Sequence, residues 1–260
     1  MLKELSDISA LLRAEWNEPI IKTPDGQVLT KKDVYGFYNN PIIRKKLVSH
    51  LKDGRTIVVQ SFAPGNNVLR RKDDHGREIK IEKAYGSVFD PNSLDFWSER
   101  RATEFHRVLG KTTDVYVVDI DPKPHIDFEE TKRVTKQVAD ALSDLPEVKN
   151  TTVYYSGNRG FHVVSSLKKP MSTNKARENL KKVLSYFEPM GYSIHQDSPI
   201  RLDLAPMKNG GSYRAPYSLS AETGLVSIPV PRNELMEFEK NQAAMHHFTN
   251  PNLVFMPQRL

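Results

Sequence analysis

Not one of the 260 residues is cysteine, so disulfides, thiolate zinc sites and cysteine nucleophiles are excluded together. The chain also has no run approaching the ~18 apolar residues that a membrane span needs. Met1 to Trp16 mixes acids and bases through its apolar positions, unlike a secretory signal. A cytoplasmic protein with no membrane partner is therefore expected. Internal repeats and low-complexity linkers are missing too, which removes solenoids and flexible tethers from consideration.

What is present describes an ordinary globular chain. Hydrophobic residues make up 38% and charged residues 27%, a balance that supports a sizeable core. Lys and Arg outnumber Asp and Glu by 38 to 32, a net charge of +6, and that modest excess favours a polyanionic partner.

The pattern along the chain alternates helical and strand periods. Leu2, Leu5, Ile8, Leu11 and Leu12 are spaced for an amphipathic helix. Thr23-Pro24-Asp25-Gly26 is a turn, and Thr30 is placed to cap a helix that Pro41 either breaks in two or bends before Lys52. Thr56 to Phe62 and Glu78 to Tyr85 read as strands, with Asp73-Asp74-His75-Gly76 as a hairpin turn. Ser93 to Leu109 has helical spacing, with Glu104-Phe105-His106 near its end. Further helices are expected over Ile126 to Leu145, Asn174 to Phe187 and Pro231 to Lys240. Strands are expected over Thr151–Ser156, Phe161–Ser166, Ile200–Leu204 and Leu225–Val230. Together these give an α/β (α+β) fold, a mixed β-sheet core covered by helices. One catalytic domain is expected over residues 1–245, with a helical and hairpin part at 1–110, a catalytic core at 111–240, and a tail at 246–260.

The chemistry gathers around Asp114-Val115-Tyr116-Val117-Val118-Asp119-Ile120-Asp121-Pro122. Residues two apart on a strand share a face, so Asp119 and Asp121 project together, roughly 7 Å apart, while Ile120 enters the core. Paired carboxylates repel unless a cation neutralises them, and hard oxygen donors suit Mg²⁺ or Mn²⁺. A D-x-D before proline also closes many strands with no metal at all. A third acid, Asp203, lies on the apolar run Ile200 to Leu204, with Asp197 as a nearby substitute. Between them, Ser156-Gly157-Asn158-Arg159-Gly160-Phe161-His162 reads as a glycine turn between strands, offering hydroxyl, guanidinium and imidazole donors to a phosphate. Three acids and such a turn are the parts of two-metal nucleotidyl transfer.

These three motifs, in this order, resemble those of the archaeo-eukaryotic primase superfamily. Over most of the chain the similarity is to the polymerase domain of ATP-dependent DNA ligase D, an end-joining polymerase. Thr23 to Val34, Glu104-Phe105-His106, Ala215-Pro216-Tyr217-Ser218-Leu219, Val226 to Val230 and Asn233-Glu234-Leu235 extend the likeness. The resemblance implies a primase-like catalytic fold and template-dependent addition of NTP or dNTP to a nucleic-acid 3′ end, with possible priming. It implies that Asp119, Asp121 and Asp203 hold two Mg²⁺ or Mn²⁺ ions, and that Ser156, Arg159, His162, His106, Ser218 and Arg214 bind the nucleotide. Lys31, Lys32, Arg70 and Arg71 become candidate nucleic-acid contacts, with Lys31 at a 5′-phosphate. DNA with primed, gapped or broken ends, a separate DNA ligase and an end-binding protein are the implied partners, in a nucleoid-associated setting. The chain departs from the pattern at Gln27, where the family has lysine, and at Ser220, where it has arginine.

Three competitors remain at this point. A replicative primase small subunit usually carries a cysteine zinc knuckle, which this chain cannot build. A haloacid-dehalogenase-like phosphatase shares the D-x-D strand but has no use for the glycine turn. A non-catalytic single-strand binding module could use the basic segments with Tyr154, Tyr155 and Phe161 as stacking surfaces.

Overall fold

A computed structural model describes residues 16–51, 56–62, 70–72, 78–86 and 90–249. The expected helix at Leu2 to Ala14, the turn at Asp73 to Gly76 and tail residues 250–260 lie outside that set.

The chain enters through a hairpin of β1 (Pro19–Lys22) and β2 (Val28–Thr30) and passes into α1 (Lys31–Asn39). Thr30 caps this helix as expected. Its hydroxyl accepts from the Asp33 amide, and the Asp33 carboxylate accepts from the Thr30 amide at 2.8 Å. Pro41 cannot donate to a continuing helix, so α2 (Pro41–Leu51) starts anew, with the Asn40 side chain accepting from the Ile42 amide at 3.0 Å. Both helices bury their apolar stripes. Tyr38, for instance, packs edge-on against Phe105 and donates to the Thr103 carbonyl at 2.6 Å.

Two five-stranded sheets follow. The first runs in the order β11 (Ser212–Arg214), β6 (Ala102–Val108), β3 (Thr56–Phe62), β5 (Glu78–Gly86), β4 (Arg70–Lys72). The second runs β10 (Ile200–Asp203), β7 (Thr112–Pro122), β9 (Phe161–Ser172), β8 (Val148–Tyr155), β12 (Ile228–Val230). Every strand pair in both is antiparallel. The strand–helix–strand order β7, α4 (Phe128–Ser143), β8 makes β7 and β8 run the same way, but β9 inserts between them. Because β11 comes from the C-terminal half and pairs with β6, the two halves of the chain share one sheet.

The second sheet has two unlike faces. Tyr116, Val118, Ile120, Val153, Tyr155, Phe161 and Val163 are buried on one of them. There Phe128 of α4 stacks on Phe161 at 5.5 Å, and α5 (Thr173–Leu184) supplies Ala176, Leu180 and Leu184 to the same core. The alternate residues of β7 and β9, among them Asp119, Asp121 and His162, point the other way.

Two expected helices are corrected. Ser93 to Leu109 is not continuous: α3 (Pro91–Ser98) ends, Arg101 adopts φ 66°, and Ala102–Val108 becomes β6. A left-handed residue stops the helix, and a place between β3 and β11 with both faces buried outweighs the helical spacing of the apolar residues. Pro231 to Lys240 forms turns, with only a 3-10 turn at Lys240–Ala243. The wholly buried Lys132 donates to the carbonyls of Met236 at 2.6 Å and Phe238 at 3.2 Å, so these oxygens are not free for a helical ladder. The strand expected over Leu225–Val230 is shorter, with only Ile228–Val230 in the sheet and Leu225 and Val226 in isolated bridges. A short α6 (His246–Thr249) ends the described chain.

Candidate active site

Register places the acids together. Asp203 of β10 stands opposite Asp119 of β7, and Asp119 stands opposite His162 of β9. Asp121 lies two residues beyond Asp119 and opposite Arg201. Directly opposed residues project to the same face, so one surface carries three carboxylates, an arginine and an imidazole. Arg201 Nη2 lies 2.8 Å from Asp203 Oδ2 and 3.2 Å from Asp121 Oδ2. Arg159 reaches Asp121 Oδ1 more loosely, at 3.6 Å. Asp203 also accepts from the Ala205 amide at 2.8 Å. Burial pushes the Asp119 carboxyl up to about 7, with repulsion from Asp121 and then Asp203 adding to it.

The glycine turn sits beside this row. Gly160 lies against the Ile120 carbonyl so closely that a Cβ there would meet that oxygen at 1.8 Å. Gly157 takes φ 83° against the Leu225 carbonyl. Only glycine lets the turn hug the end of the D-x-D strand, which brings Ser156 and Arg159 to the acids. The turn is pinned from behind, where Asn158 donates to Glu222 at 2.9 Å and the Thr223 hydroxyl donates to the Gly157 carbonyl.

The first sheet supplies the facing wall. Glu104 and His106 of β6 share a face, and Arg214 of β11 stands opposite His106. Glu104 is bound from three sides. Arg214 Nη2 lies at 2.7 Å, His106 Nε2 at 2.8 Å, and the Ala221 amide donates at 2.7 Å. Burial alone would raise this carboxyl, but Arg214, then His106 and the Ala221 amide, hold it far below the usual carboxylate range. Arg214 also donates to the Ser156 carbonyl, tying the wall to the glycine turn. His162, 5% exposed, is depressed to about 3, first by burial and then by Arg214 and His106, so its imidazole is neutral. Its Nε2 lies 3.6 Å from Asp119 Oδ1, and its Nδ1 is buried with no hydrogen-bond partner.

A cleft of about 210 Å³ separates the two walls, lined by Asp119, Asp121, Ser156, Arg159, His162, His106 and Arg214 among others. Of the residues singled out from sequence, those seven meet here, with Asp203 adjoining through Asp119 and Arg201. Ser218 does not line the cleft. It is fully buried, and its hydroxyl accepts from the Phe105 amide at 2.8 Å, holding β6 to the segment after β11. The Lys31 amine lies over the Trp16 ring at 4.6 Å, and Lys32 is exposed. Arg70 and Arg71 are on β4, away from β6 and β11 in strand order. Sequence reading did not assign Arg201, Glu104 or Tyr213, whose ring lines the cleft and packs edge-on against His162 at 5.8 Å. The signal for Arg201 was its place two residues before Asp203 on an apolar strand. Among the described residues no three acid or histidine side chains converge tightly enough to clasp a metal ion as they stand, and Arg201 lies between two of the acids.

Comparison with solved structures gives the polymerase domain from Mycobacterium tuberculosis ligase D in complex with DNA, with a TM-score of 0.65 at 17% identity, covering 85% of this chain and 87% of that one. The likeness establishes the fold. Comparison with curated proteins gave no match. The profile of the family described as "LigD, primase-polymerase domain" matches residues 30–253, taking in both walls of the cleft. The chain belongs to the LigD primase-polymerase domain family.

Proposed function

We propose that this protein transfers a nucleotidyl group from an NTP or dNTP to the 3′ end of a templated nucleic acid, in the repair of broken or gapped DNA. The observation that carries the reading is that Asp119 and Asp121 share one cleft with phosphate donors on the Ser156–Gly160 turn, while Asp203 adjoins it directly opposite Asp119. The donor set fits a hard divalent cation, because Asp119 is held short of counter-charge by two neighbouring carboxylates. Asp119, Asp121 and Asp203 would hold Mg²⁺ or Mn²⁺. Bound there, the cation supplies Lewis acidity toward the attacking hydroxyl and the phosphate oxygens.

The remaining work belongs to the chain's own groups. Ser156 and Arg159 present a hydroxyl and a guanidinium to the nucleotide's phosphates, at the close approach that Gly157 and Gly160 permit. A neutral His162 donates or accepts one hydrogen bond without adding a charge. Glu104 fixes the His106 ring at the opposite wall, aimed into the cleft. Arg214 is committed to Glu104 and the Ser156 carbonyl, so it shapes the turn more than it neutralises phosphate. A structural relative has been captured with DNA, and the net charge of +6 suits the same class of partner. Lys32, exposed at the start of α1, and the basic strand β4 are proposed backbone contacts, and a separate ligase would seal the product.

The test is extension of a labelled primer-template by the purified chain with Mn²⁺ or Mg²⁺ and NTP or dNTP, beside Asp119→Asn. Extension lost in the variant supports the reading, and equal extension by both overturns it. Omitting the primer asks whether the protein starts chains.

A further inference from the structure

Arg201, beside the cleft between Asp121 and Asp203, holds a pose that folding alone does not explain. It reaches the acids through a single nitrogen, Nη2, placed between Asp203 Oδ2 at 2.8 Å and Asp121 Oδ2 at 3.2 Å. Its Nε is buried and has no hydrogen-bond partner. A guanidinium selected only to strap two strands would use its planar fork in two parallel bonds to one carboxylate. Here one nitrogen bridges two carboxylates, as a point cation would, and leaves a buried donor unsatisfied.

We infer that Arg201 is a resident counter-cation of the acid row, occupying the space between Asp121 and Asp203 until a divalent cation takes it over. The inference rests on the metal-dependent reading of the cleft and adds to it a positioning residue that sets how readily the acids accept a metal. Arginine stays protonated throughout the ordinary pH range, so it leaves the acids only by charge exchange. Bringing in a divalent ion therefore requires displacing Arg201, and the apparent metal affinity is lowered by the fraction of molecules in which Arg201 holds the site. Once displaced, the guanidinium sits half-buried without a counter-charge unless an anion enters. The phosphates of an incoming nucleotide are such an anion, so metal and nucleotide entry become coupled. Arg159, the other cation near Asp121, cannot replace it, since it is 3.6 Å away and touches only one of the acids.

The experiment is titration of the full chain with Mn²⁺ alone, no nucleotide present, followed by calorimetry or by the spin-resonance signal of free Mn²⁺. Wild type, Arg201→Met, Arg201→Gln and Asp119→Asn are compared. Removing the counter-cation is expected to tighten Mn²⁺ binding on the order of tenfold in both arginine variants. Unchanged or weaker binding in variants with native near-ultraviolet dichroism overturns the inference. A measurement on wild type alone covers the case in which the variants do not fold. Modification by phenylglyoxal, mapped to Arg201 by peptide mass, is expected to speed up when Mn²⁺ is added, and an unchanged or slower rate overturns the inference. The two readings fail in different ways. No saturable Mn²⁺ binding sensitive to Asp119→Asn sinks the metal-dependent reading and this inference with it. Such binding, indifferent to Arg201, sinks this inference alone.

Discussion

Asp119 and Glu104 are carboxylates on opposite walls of one cleft, and their surroundings push them in opposite directions. Glu104, on the first sheet, is surrounded by Arg214, His106 and the Ala221 amide, and is held as a carboxylate far below its ordinary range. Asp119, on the second, has two acids as neighbours and a neutral histidine opposite, and is raised to about 7. A carboxylate whose hydrogen bonds are complete serves the fold. One left short of positive charge stores electrostatic free energy that a cation entering the cleft would release.

Substitutions at the two positions should separate those roles. The largest effect expected is on turnover, where Asp119→Asn should lower primer extension at least about a thousandfold, since it removes a charge that matters most in the transition state. Comparable extension by wild type and variant would dissolve the contrast. Next in size, Glu104→Gln should destabilise the fold by about 3–5 kcal/mol, because it leaves Arg214 buried without its counter-charge. Urea titration measures this, and a loss below ~1 kcal/mol would mean that the knot is not structural.

The third effect has the opposite sign. Asp119 has a folded pKa near 7 against an ordinary 3.8, so the native state binds more protons than the unfolded chain between those values. Stability contributed by the group therefore falls as pH rises from about 4 to about 7. Asp119→Asn should consequently be more stable than wild type at pH 8, by about 1–2 kcal/mol once partial solvent access is allowed for, and the gain should vanish at pH 4. Glu104 adds a slope of the opposite sign only at the acid end of that window: it stays ionised in the fold while the unfolded chain takes up its proton as pH falls through about 4.5, so its support begins to be lost there. Melting curves of the two single variants at pH 4, 6 and 8 would sharpen or break the comparison. The smallest expected change is His106→Ala, about 1 kcal/mol, the worth of one hydrogen bond to an acid that keeps two other partners.

Local features were readable in the sequence. The capping box of Thr30 and Asp33, the restart at Pro41 and the glycine turn each depend on a few adjacent residues, and each stands where its residues placed it. The β6 strand was not readable as one. Ala102 to Val108 has apolar residues that also fit a helix, and only pairing with β3 and β11 tips the balance. The turns after Pro231 escaped for a similar reason, since the buried Lys132 amine that captures their carbonyls comes from a helix 104 residues earlier. Glu104 looked like a companion of His106, and nothing near it in sequence announced Arg214, 110 residues away.

The sequence by itself determined that Asp119 and Asp121 share a face, because strand side chains alternate with a period of two whatever surrounds them. It also determined that the turn could approach that strand closely, because two of its residues lack a Cβ. Only the tertiary structure decided which charges face those acids. Strand register brings Asp203 opposite Asp119 and Arg201 opposite Asp121, and register is set by the packing of whole sheets. Charges interact across a few ångströms of space, and their separation along the chain does not limit them.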